Sequence, residues 1–284
     1  MGSENQESIW RGLPNSPACM ERHLEGLQYR ADGAMVLGAA ALTGRYWMGS
    51  IWVYKEASRA PEEAHCTAGV QTEAGLSDVA WLGEKSVVVA SDTGALELWK
   101  LAENDSYLTN CASHYEHDDL VCSVSVGVDT LVSGSLDGSI KVWDKNEFKV
   151  ISTYRGHVAG VGCVSCAPKD QHLFLSCAQD GRVLLWDTRK AKPASVIDVK
   201  PAGALPSYVT WNPFSSRAIA VATETGHIGL RDLSSLVIPL AHTVVHNRPV
   251  TRLKFSPHSA VWLASAGEDC RVIVSNAVDK LSLM

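Results

Sequence analysis

Short segments in which apolar and polar residues alternate recur along the chain at a nearly constant spacing. They end in the strings SIWVYK, LELWK, IKVWDK, VLLWDT, IGLRDL and VIVSNA. The aligned positions are 45, 44, 43, 45 and 44 residues apart, and they are Tyr54, Trp99, Trp143, Trp186, Arg231 and Ser275. Alternation with a period of two residues predicts half-buried β-strands. A repeat of this length predicts one small sheet per repeat.

Each repeat has the same internal order of turns and strands. From His157 the chain reads HVAGVGCVSCAPKDQHLFLSCAQDGRVLLWDT, which predicts a strand, a Pro turn, a second strand, a tight Asp-Gly turn and a third strand ending in Trp-Asp. The Pro turn recurs in the same phase at Pro168, Pro213 and Pro257. Such a period, carrying Trp-Asp, is typical of a WD-repeat β-propeller. The sequence therefore predicts an all-β WD-repeat β-propeller with six repeat phases.

Composition and charge limit the class of protein further. The chain has 284 residues and a net charge of -6, which argues against general affinity for nucleic acid. No apolar run reaches the roughly 18 residues that could span a bilayer. Eight Cys without a secretory signal predict reduced thiols rather than a disulfide framework. We predict a flexible segment over 1–16, a single propeller domain over 17–284, and neither membrane nor direct nucleic-acid partners.

A His, a Ser, an Asp and a Trp recur at equivalent positions of several repeats. Two sets are complete and a third lacks the Trp: His117, Ser133, Asp137 and Trp143; His157, Ser176, Asp180 and Trp186; His246, Ser265 and Asp269. A hydrolase triad uses the same residue types, but it occurs once in an enzyme, whereas these sets recur. We predict structural hydrogen-bond clamps, because each buried polar group left unpaired costs about 1 to 3 kcal/mol.

Other candidate chemistry is weak. Cys163 and Cys166 form a C-x-x-C, yet no second pair of ligands at zinc spacing follows, so packing in a strand explains them better. The segment Glu116–Asp119 is a small acidic cluster around one His. A propeller hydrolase with a site in the central channel would need carboxylates or His unique to one or two repeats, and only this cluster qualifies. We predict no catalytic residue, no metal and no cofactor.

The first repeat departs from the others by an insertion. About ten residues, Ala40 to Gly49, separate its second and third strands, where other repeats have a tight turn. The insertion places four residues at the tip of a hairpin: Arg45, Tyr46, Trp47 and Met48. Exposed Trp, Tyr and Arg are enriched at binding hot spots. We predict that the tip binds a partner protein; the alternative is that Tyr46 and Trp47 fold back onto their own blade.

Several strings are far more specific than the Trp-Asp signature. They are PNSPACMERHLEGLQYRADGAMVLGAAALTGRYWMGSIWVYK, CTAGVQTEAGLSDVAW, VVVASDTGALELW, YEHDDLV and FLSCAQDGRVLLWDTRKAKPAS. Over about Pro14 to Asp269 the chain resembles the methylosome protein 50 family of WD-repeat subunits. The resemblance implies a non-catalytic adaptor that forms a hetero-oligomer with a type II protein arginine methyltransferase, in cytoplasm and nucleus. It also implies presentation of Arg-rich substrates such as histones and spliceosomal Sm proteins.

The resemblance carries two further expectations. It implies that the hairpin tip, Arg45 to Met48, contacts the barrel domain of the methyltransferase with Trp47 as the apolar anchor. The family fold has seven blades, whereas this chain shows six repeat phases, so we expect the last blade to be missing; the alternative is a ring closed by six blades. In a closed ring of seven, the segment Ala18 to Leu27 would form the outer strand of the last blade. Because this fold serves many assemblies, the alternative function is a WD-repeat scaffold of a ubiquitin ligase or chromatin complex.

Overall fold

A computed structural model describes residues 17, 19–43, 46–199, 203–277 and 281–283, with the backbone alone for 42, 43, 46, 235–240, 282 and 283. The chain divides after Val121 into two compact units, 1–121 and 122–284. Within the described ranges, helix is limited to the 3₁₀ turns Ala57–Arg59 and Glu63–His65, and neither could cross a membrane. The predicted flexible segment 1–16 lies outside the described residues, and a single domain over 17–284 stays a prediction.

The first unit contains two four-stranded antiparallel sheets, which we call blades 1 and 2. In each blade every strand pairs with the next along the chain. The strands of blade 1 are β1 His23–Tyr29, β2 Met35–Thr43, β3 Tyr46–Tyr54 and β4 Ala68–Thr72. The strands of blade 2 are β5 Leu76–Trp81, β6 Ser86–Ser91, β7 Ala95–Leu101 and β8 Leu108–Tyr115.

The second unit contains blades 3 to 6, with the same order of four neighbouring strands. Blade 3, which begins at the boundary residue, has β9 Val121–Val126, β10 Thr130–Ser135, β11 Ser139–Asp144 and β12 Lys149–Arg155. Blade 4 has β13 Val161–Cys166, β14 Leu173–Ala178, β15 Val183–Asp187 and β16 Ser195–Ile197. Blade 5 has β17 Pro206–Trp211, β18 Ala218–Thr223, β19 His227–Asp232 and β20 Ser235–Val244. Blade 6 has β21 Val250–Phe255, β22 Trp262–Gly267, β23 Arg271–Asn276 and β24 Ser282–Leu283.

Apolar faces of consecutive blades pack against each other inside each unit. The core between blades 4 and 5 contains Cys163, Leu175, Val209, Trp211 and Ile219, all of them buried. A four-stranded sheet has two faces and cannot cover either of them alone, so stacking the repeats is what removes their apolar surface from water. The first strands of blades 4, 5 and 6 lie next to one another in series, and the second strand of blade 3 contacts the first strand of blade 4.

The structure bears out the repeat prediction and corrects one strand. Each of the six repeat phases forms one blade, which confirms the all-β prediction. The expectation that a seventh blade of the family fold is missing stays a prediction. The assignment of Ala18–Leu27 to the outer strand of a last blade is wrong for its second half, because His23–Leu27 lie in β1, where Leu27 pairs with Leu37 of β2; Ala18 lies outside the described residues. A tight turn closed by the hydrogen bond from Arg30 N to Ala34 O joins the two strands, and strands joined so closely pair with each other.

Candidate functional site

The hairpin of β2 and β3 projects beyond the rest of blade 1. Its pairing continues to Thr43 opposite Tyr46. On one side β1 ends its pairing with β2 at Ala40, and on the other β4 begins its pairing with β3 at Gly49. The last three residue pairs therefore have no neighbouring strand in the described sheet. At about 3.3 Å per residue the overhang is roughly 10 Å long.

The predicted ten-residue loop over Ala40–Gly49 is therefore wrong, since its described residues, 40–43 and 46–49, are strand. The insertion is rich in residues that favour strands, among them Thr43, Tyr46 and Trp47. That composition was visible in the sequence and favoured extension of both strands over a loop. Pairing the backbone of the insertion satisfies hydrogen-bonding groups that a loop of this length would leave to water.

Polar side chains tie down the base of the hairpin. Ser50 Oγ donates a hydrogen bond to Glu21 Oε2 and accepts one from Trp52 Nε1 at 2.7 Å. Gln71 Nε2 donates to Glu21 Oε1 at 2.7 Å and to the carbonyl oxygen of Gly49 at 2.8 Å. Glu21 thereby joins β3 to β4 just below the overhang. The network restrains the direction in which the hairpin leaves the blade.

Trp47 and Met48 are the large apolar side chains that the described part of the hairpin exposes. Trp47 is 56% exposed and Met48 is 40% exposed. A Cβ atom at Gly75 would lie 3.3 Å from Trp47 Cδ1 and would collide with the carboxylate of Asp92. The absence of a side chain at Gly75 thus leaves room for an indole edge and a carboxylate side by side. The indole rests one edge on blade 2 and keeps more than half of its surface in solvent.

The electrostatics beside Trp47 are acidic. Burial, and then the negative charge of Glu25, raise the pKa of Asp92. A partly buried carboxylate next to an exposed indole is suited to a partner that offers an apolar pocket together with a cationic or hydrogen-bond-donating group. Sequence reasoning missed Asp92. The signal available was its place in the string SDTG, which is typical of a tight turn after a strand, here β6.

The four predicted tip residues have different outcomes. Arg45 lies outside the described residues, and only the backbone of Tyr46 is described, as the first residue of β3. Trp47 and Met48 are brought to the overhang and face solvent. Their pairing partners across the hairpin are Leu42 and Ala41, respectively. Partner binding by the tip stays a prediction.

The second predicted clamp is assembled in blade 4. His157 Nδ1 lies 2.9 Å from Asp180 Oδ2, and His157 Nε2 lies 2.7 Å from Ser176 Oγ. Trp186 Nε1 donates to the same Ser176 Oγ at 2.8 Å. Asp180 also accepts from the backbone N–H of Arg182 at 3.0 Å. Ser176 is completely buried, so its hydroxyl is not exposed to a substrate in solvent.

One protonation state satisfies every group of this clamp. Burial lowers the pKa of His157, which outweighs the opposite effect of Asp180. Burial by itself raises the pKa of Asp180, but the hydrogen bond from His157 and those from backbone N–H groups lower it overall. A neutral imidazole then donates from Nδ1 to the Asp180 carboxylate and accepts the Ser176 hydroxyl proton at Nε2. That leaves the hydroxyl oxygen free to accept from Trp186.

The clamp of blade 6 lacks the Trp and is looser. His246 Nδ1 lies 2.9 Å from Asp269 Oδ1, and His246 Nε2 lies 2.8 Å from Ser265 Oγ. Ser265 Oγ has a second acceptor in the carbonyl oxygen of Ile273, at 3.4 Å. Ser275 takes the Trp position, and its buried hydroxyl has no hydrogen-bond partner. Because Ser275 has no indole, Ser265 lacks the N–H donor that Ser176 receives from Trp186 in blade 4.

The first predicted clamp is described in part. Trp143 Nε1 donates to Ser133 Oγ at 2.8 Å, both residues being fully buried. Asp137 Oδ1 accepts from the backbone N–H of Ser139 at 2.6 Å. His117 is buried and belongs to the first unit, whereas the other three residues belong to the second.

Two blades replace the clamp by other chemistry that sequence reasoning did not interpret. In blade 2 Trp99 Nε1 donates to Glu97 Oε2 at 2.8 Å, and burial raises the pKa of that carboxyl. In blade 5 Arg231 occupies the Trp position and is 2% exposed. Its Nη2 donates to the carbonyl oxygen of Asp198 at 3.0 Å, while Nε and Nη1 have no partner among the described residues. The signal in the sequence was the Arg at the position that aligns with the Trp of other repeats, because a buried Arg needs hydrogen-bond acceptors of its own.

The two cysteines of the C-x-x-C, Cys163 and Cys166, were predicted to pack in a strand rather than to bind a metal. Cys163 Sγ is buried 3.5 Å from the carbonyl oxygen of Val209, and Cys166 Sγ lies 3.2 Å from that of Ser125. Burial raises the pKa of Cys166 to about 12, which holds this thiol in its protonated form. In the part of the chain that the structure describes, no three His, Cys, Asp or Glu side chains come together as a set of metal ligands.

Comparisons with known proteins agree with the repeat analysis. The family model "WD domain, G-beta repeat" matches residues 108–144, 148–187 and 238–274. Histone acetyltransferase type B subunit 2 of Candida glabrata is 30% identical over 151 residues, which cover 51% of this chain and 35% of that protein. The GATOR2 complex protein WDR24 of Danio rerio is 25% identical over 206 residues, which cover 71% of this chain and 26% of that protein.

A third relative is far more similar and matches nearly the whole chain. The methylosome protein WDR77 of Xenopus laevis is 46% identical over 272 residues, which cover 95% of this chain and 81% of that protein. The matched span includes blades whose clamp residues have been lost as well as blades that retain them, so the similarity does not depend on the generic Trp-Asp signature. The chain belongs to the methylosome WDR77 family of WD-repeat proteins.

Proposed function

We propose that this protein is a non-catalytic adaptor that binds a type II protein arginine methyltransferase through the projecting hairpin of blade 1. The observation that carries the proposal is the overhang, which holds Trp47 with 56% of its surface in solvent. An exposed indole on a braced hairpin is suited to burial by a partner, because Trp is among the residues enriched at binding hot spots. Membership of a methylosome family supports the identity of that partner.

The surroundings of Trp47 support a mixed apolar and electrostatic contact. Burial of the indole and Met48 in a pocket of the methyltransferase would supply most of the affinity, as aromatic anchors do at hot spots. Asp92 would meet a cation of the partner at the edge of that pocket, where charge complementarity mainly sets specificity and association rate. The fixed base of the hairpin reduces the ordering cost of association.

We further propose that the adaptor helps present Arg-rich substrates, such as histones and spliceosomal Sm proteins, in cytoplasm and nucleus. The net charge of -6 supports attraction of cationic tails. Such attraction acts at long range and is screened by salt, with a Debye length of about 8 Å at physiological ionic strength. Substrate stimulation should therefore decline with added salt more steeply than binding of the methyltransferase does.

The test compares Trp47→Ala with Tyr115→Ala, which truncates another exposed aromatic residue of the first unit. Trp47→Ala should weaken binding to the purified methyltransferase by about 2 kcal/mol or more, roughly thirtyfold in Kd, measured by biolayer interferometry. Tyr115→Ala should bind like the wild type. Equal binding by all three proteins, with unchanged circular dichroism, would exclude the hairpin from the interface. Failure of the wild type to bind would favour a scaffold of another assembly.

A further inference from the structure

The core between blades 4 and 5 opens at one end into a cleft. Its volume is about 420 Å³, and it lies where the loop between β13 and β14 meets the turn between β17 and β18. Clefts that bury ligands commonly measure about 300 to 1,000 Å³. Both blades belong to the second unit. The cleft lies outside the hairpin of blade 1 and outside every clamp, so nothing described above uses it.

The inner wall of the cleft is aliphatic. Leu173 and Leu185 of blade 4 and Leu233 of blade 5 line it. All three are only half-buried, and each packs with one side against the core between the two blades. Their other sides face the cleft. A partner side chain of aliphatic character would remove this surface from water.

Cationic side chains line the cleft or lie on the loop beside it. Arg217 lines the cleft, is exposed, and has no hydrogen bond or ion pair from its guanidinium within the described chain. Lys190 is exposed on the loop after β15, also without a side-chain partner among the described residues. Lys169 Nζ reaches across the cleft and donates to the carbonyl oxygen of Phe214 at 2.8 Å. Thr188 N donates to His172 O at 2.8 Å, which places the Lys190 loop at the same end of blade 4.

The carboxylates near the cleft are already engaged. Asp170 Oδ1 accepts from the backbone N–H of the following loop at 2.9 Å. Asp187 accepts from Arg189, a hydrogen bond that lowers the pKa of Asp187 to about 2. Asp232 accepts from the hydroxyl and N–H of Ser234, which together with the charge of Arg217 lower its pKa. Each carboxylate is therefore turned toward its own loop. Among the residues that line the cleft, the two cations Lys169 and Arg217 outnumber the one carboxylate, Asp170.

We propose that this cleft is a docking site for a short acidic segment of a partner protein that contains aliphatic residues. One or two aliphatic side chains would enter between Leu173, Leu185 and Leu233, and flanking Asp or Glu residues would pair with Arg217 and Lys190. The cations at the cleft favour an acidic occupant, although the chain as a whole has a net charge of -6. The aliphatic wall disfavours single-stranded RNA, which binds by stacking its bases on aromatic side chains.

The occupant can be identified with a library of random dodecapeptides displayed on phage and selected on the intact chain. Selection should enrich sequences that combine Leu, Ile or Met with Asp or Glu. A fluorescein-labelled peptide of the enriched sequence should then bind in fluorescence anisotropy. Replacing its aliphatic residues by Ser should weaken binding at least tenfold. Loss of enrichment, or enrichment of sequences without acidic residues, would overturn the proposal.

Charge-reversal variants locate the site. Arg217→Glu should weaken the selected peptide at least tenfold, and Lys190→Glu, which is fully on the surface, should weaken it several-fold. The matched control is Arg155→Glu, because Arg155 is exposed in blade 3 of the same unit. It should bind like the wild type. Three outcomes would reject the cleft as the binding site. They are equal effects of all three variants, no effect of either cleft variant, or displacement of the labelled peptide more strongly by single-stranded poly(U) than by the unlabelled peptide. Binding of the methyltransferase should be unchanged in these variants, which separates this test from that of the hairpin.

Discussion

Blades 4 and 5 have the same strand order and the same register across their first three strands, yet they bury opposite kinds of side chain at one position. Trp186 pairs with Phe174 on the neighbouring strand, and Arg231 pairs with Ile219 in the same way. In blade 4 the indole N–H meets a serine hydroxyl. In blade 5 the guanidinium has one acceptor, a backbone carbonyl, and two nitrogen atoms without any.

The difference shows that the clamp works as a unit. The serine position of blade 4, Ser176, corresponds to Val221 in blade 5, since both pair with the fourth residue of the first strand. Without that hydroxyl, an indole N–H at position 231 would have no acceptor on its own sheet. Trp211 in the same blade illustrates the point, because its buried Nε1 has no partner. Apolar packing thus keeps blade 5 folded while its polar groups remain unsatisfied.

The largest effect is expected when the anchor of blade 4 is removed. Trp186→Ala should lower the free energy of unfolding by about 3 to 5 kcal/mol, because it opens a cavity and leaves Ser176 with one partner fewer. Chemical denaturation followed by circular dichroism measures this. Trp47→Ala is the matched control, since Trp47 is exposed. It should stay within about 0.5 kcal/mol of the wild type. Similar losses in the two variants would contradict the buried role of Trp186.

Removing the shared hydroxyl should have the next largest effect. Ser176→Ala leaves both Trp186 Nε1 and His157 Nε2 without a partner, which should lower the free energy of unfolding by about 2 to 3 kcal/mol. Ser265→Ala in blade 6 is the matched change, and it should cost about 1 to 2 kcal/mol because no Trp depends on that hydroxyl. The same denaturation assay compares the two. A larger loss for Ser265→Ala would show that the indole adds nothing to the clamp.

Blade 5 should respond in the opposite direction. Arg231→Met replaces a buried cation with an apolar side chain of similar length, and we expect it to raise the free energy of unfolding by about 1 to 2 kcal/mol. Arg231→Lys is the control, because it keeps a buried charge and should bring no gain. If Arg231→Met is less stable than the wild type, the guanidinium has partners that stabilise the native blade.

Acidification should produce the smallest effect. Burial lowers the pKa of His157 in the folded protein below its ordinary value of about 6.5. As the pH falls below that value the unfolded chain binds the proton first, so the stability that the neutral imidazole provides is present above it and is lost below it. The difference in unfolding free energy between the wild type and His157→Gln should therefore shrink from pH 7.5 to pH 5.5. His258→Gln, an exposed control, should show no such change relative to the wild type.

Much of the fold and part of the candidate site were predictable from particular residues. The spacing from Trp186 to Arg231 and Ser275 located the third strand of each blade without any knowledge of its neighbours. The insertion before Gly49 was recognised as a hairpin, but its pairing as strand was missed. Asp92 was missed because nothing in its own repeat relates it to Trp47, and the two approach the same point beside Gly75 only through packing of blades 1 and 2.

The sequence by itself determined the period, the order of strands and the positions that each blade buries. These properties are local, because the alternation of side chains and the turn residues act within about 40 residues of chain. The tertiary structure alone decided that Trp47 stands in solvent, that two nitrogen atoms of Arg231 lack acceptors among the described residues, and that three leucines of two blades line a cleft. Those properties depend on contacts between repeats, and the pattern within one repeat carries no information about what its neighbour places opposite.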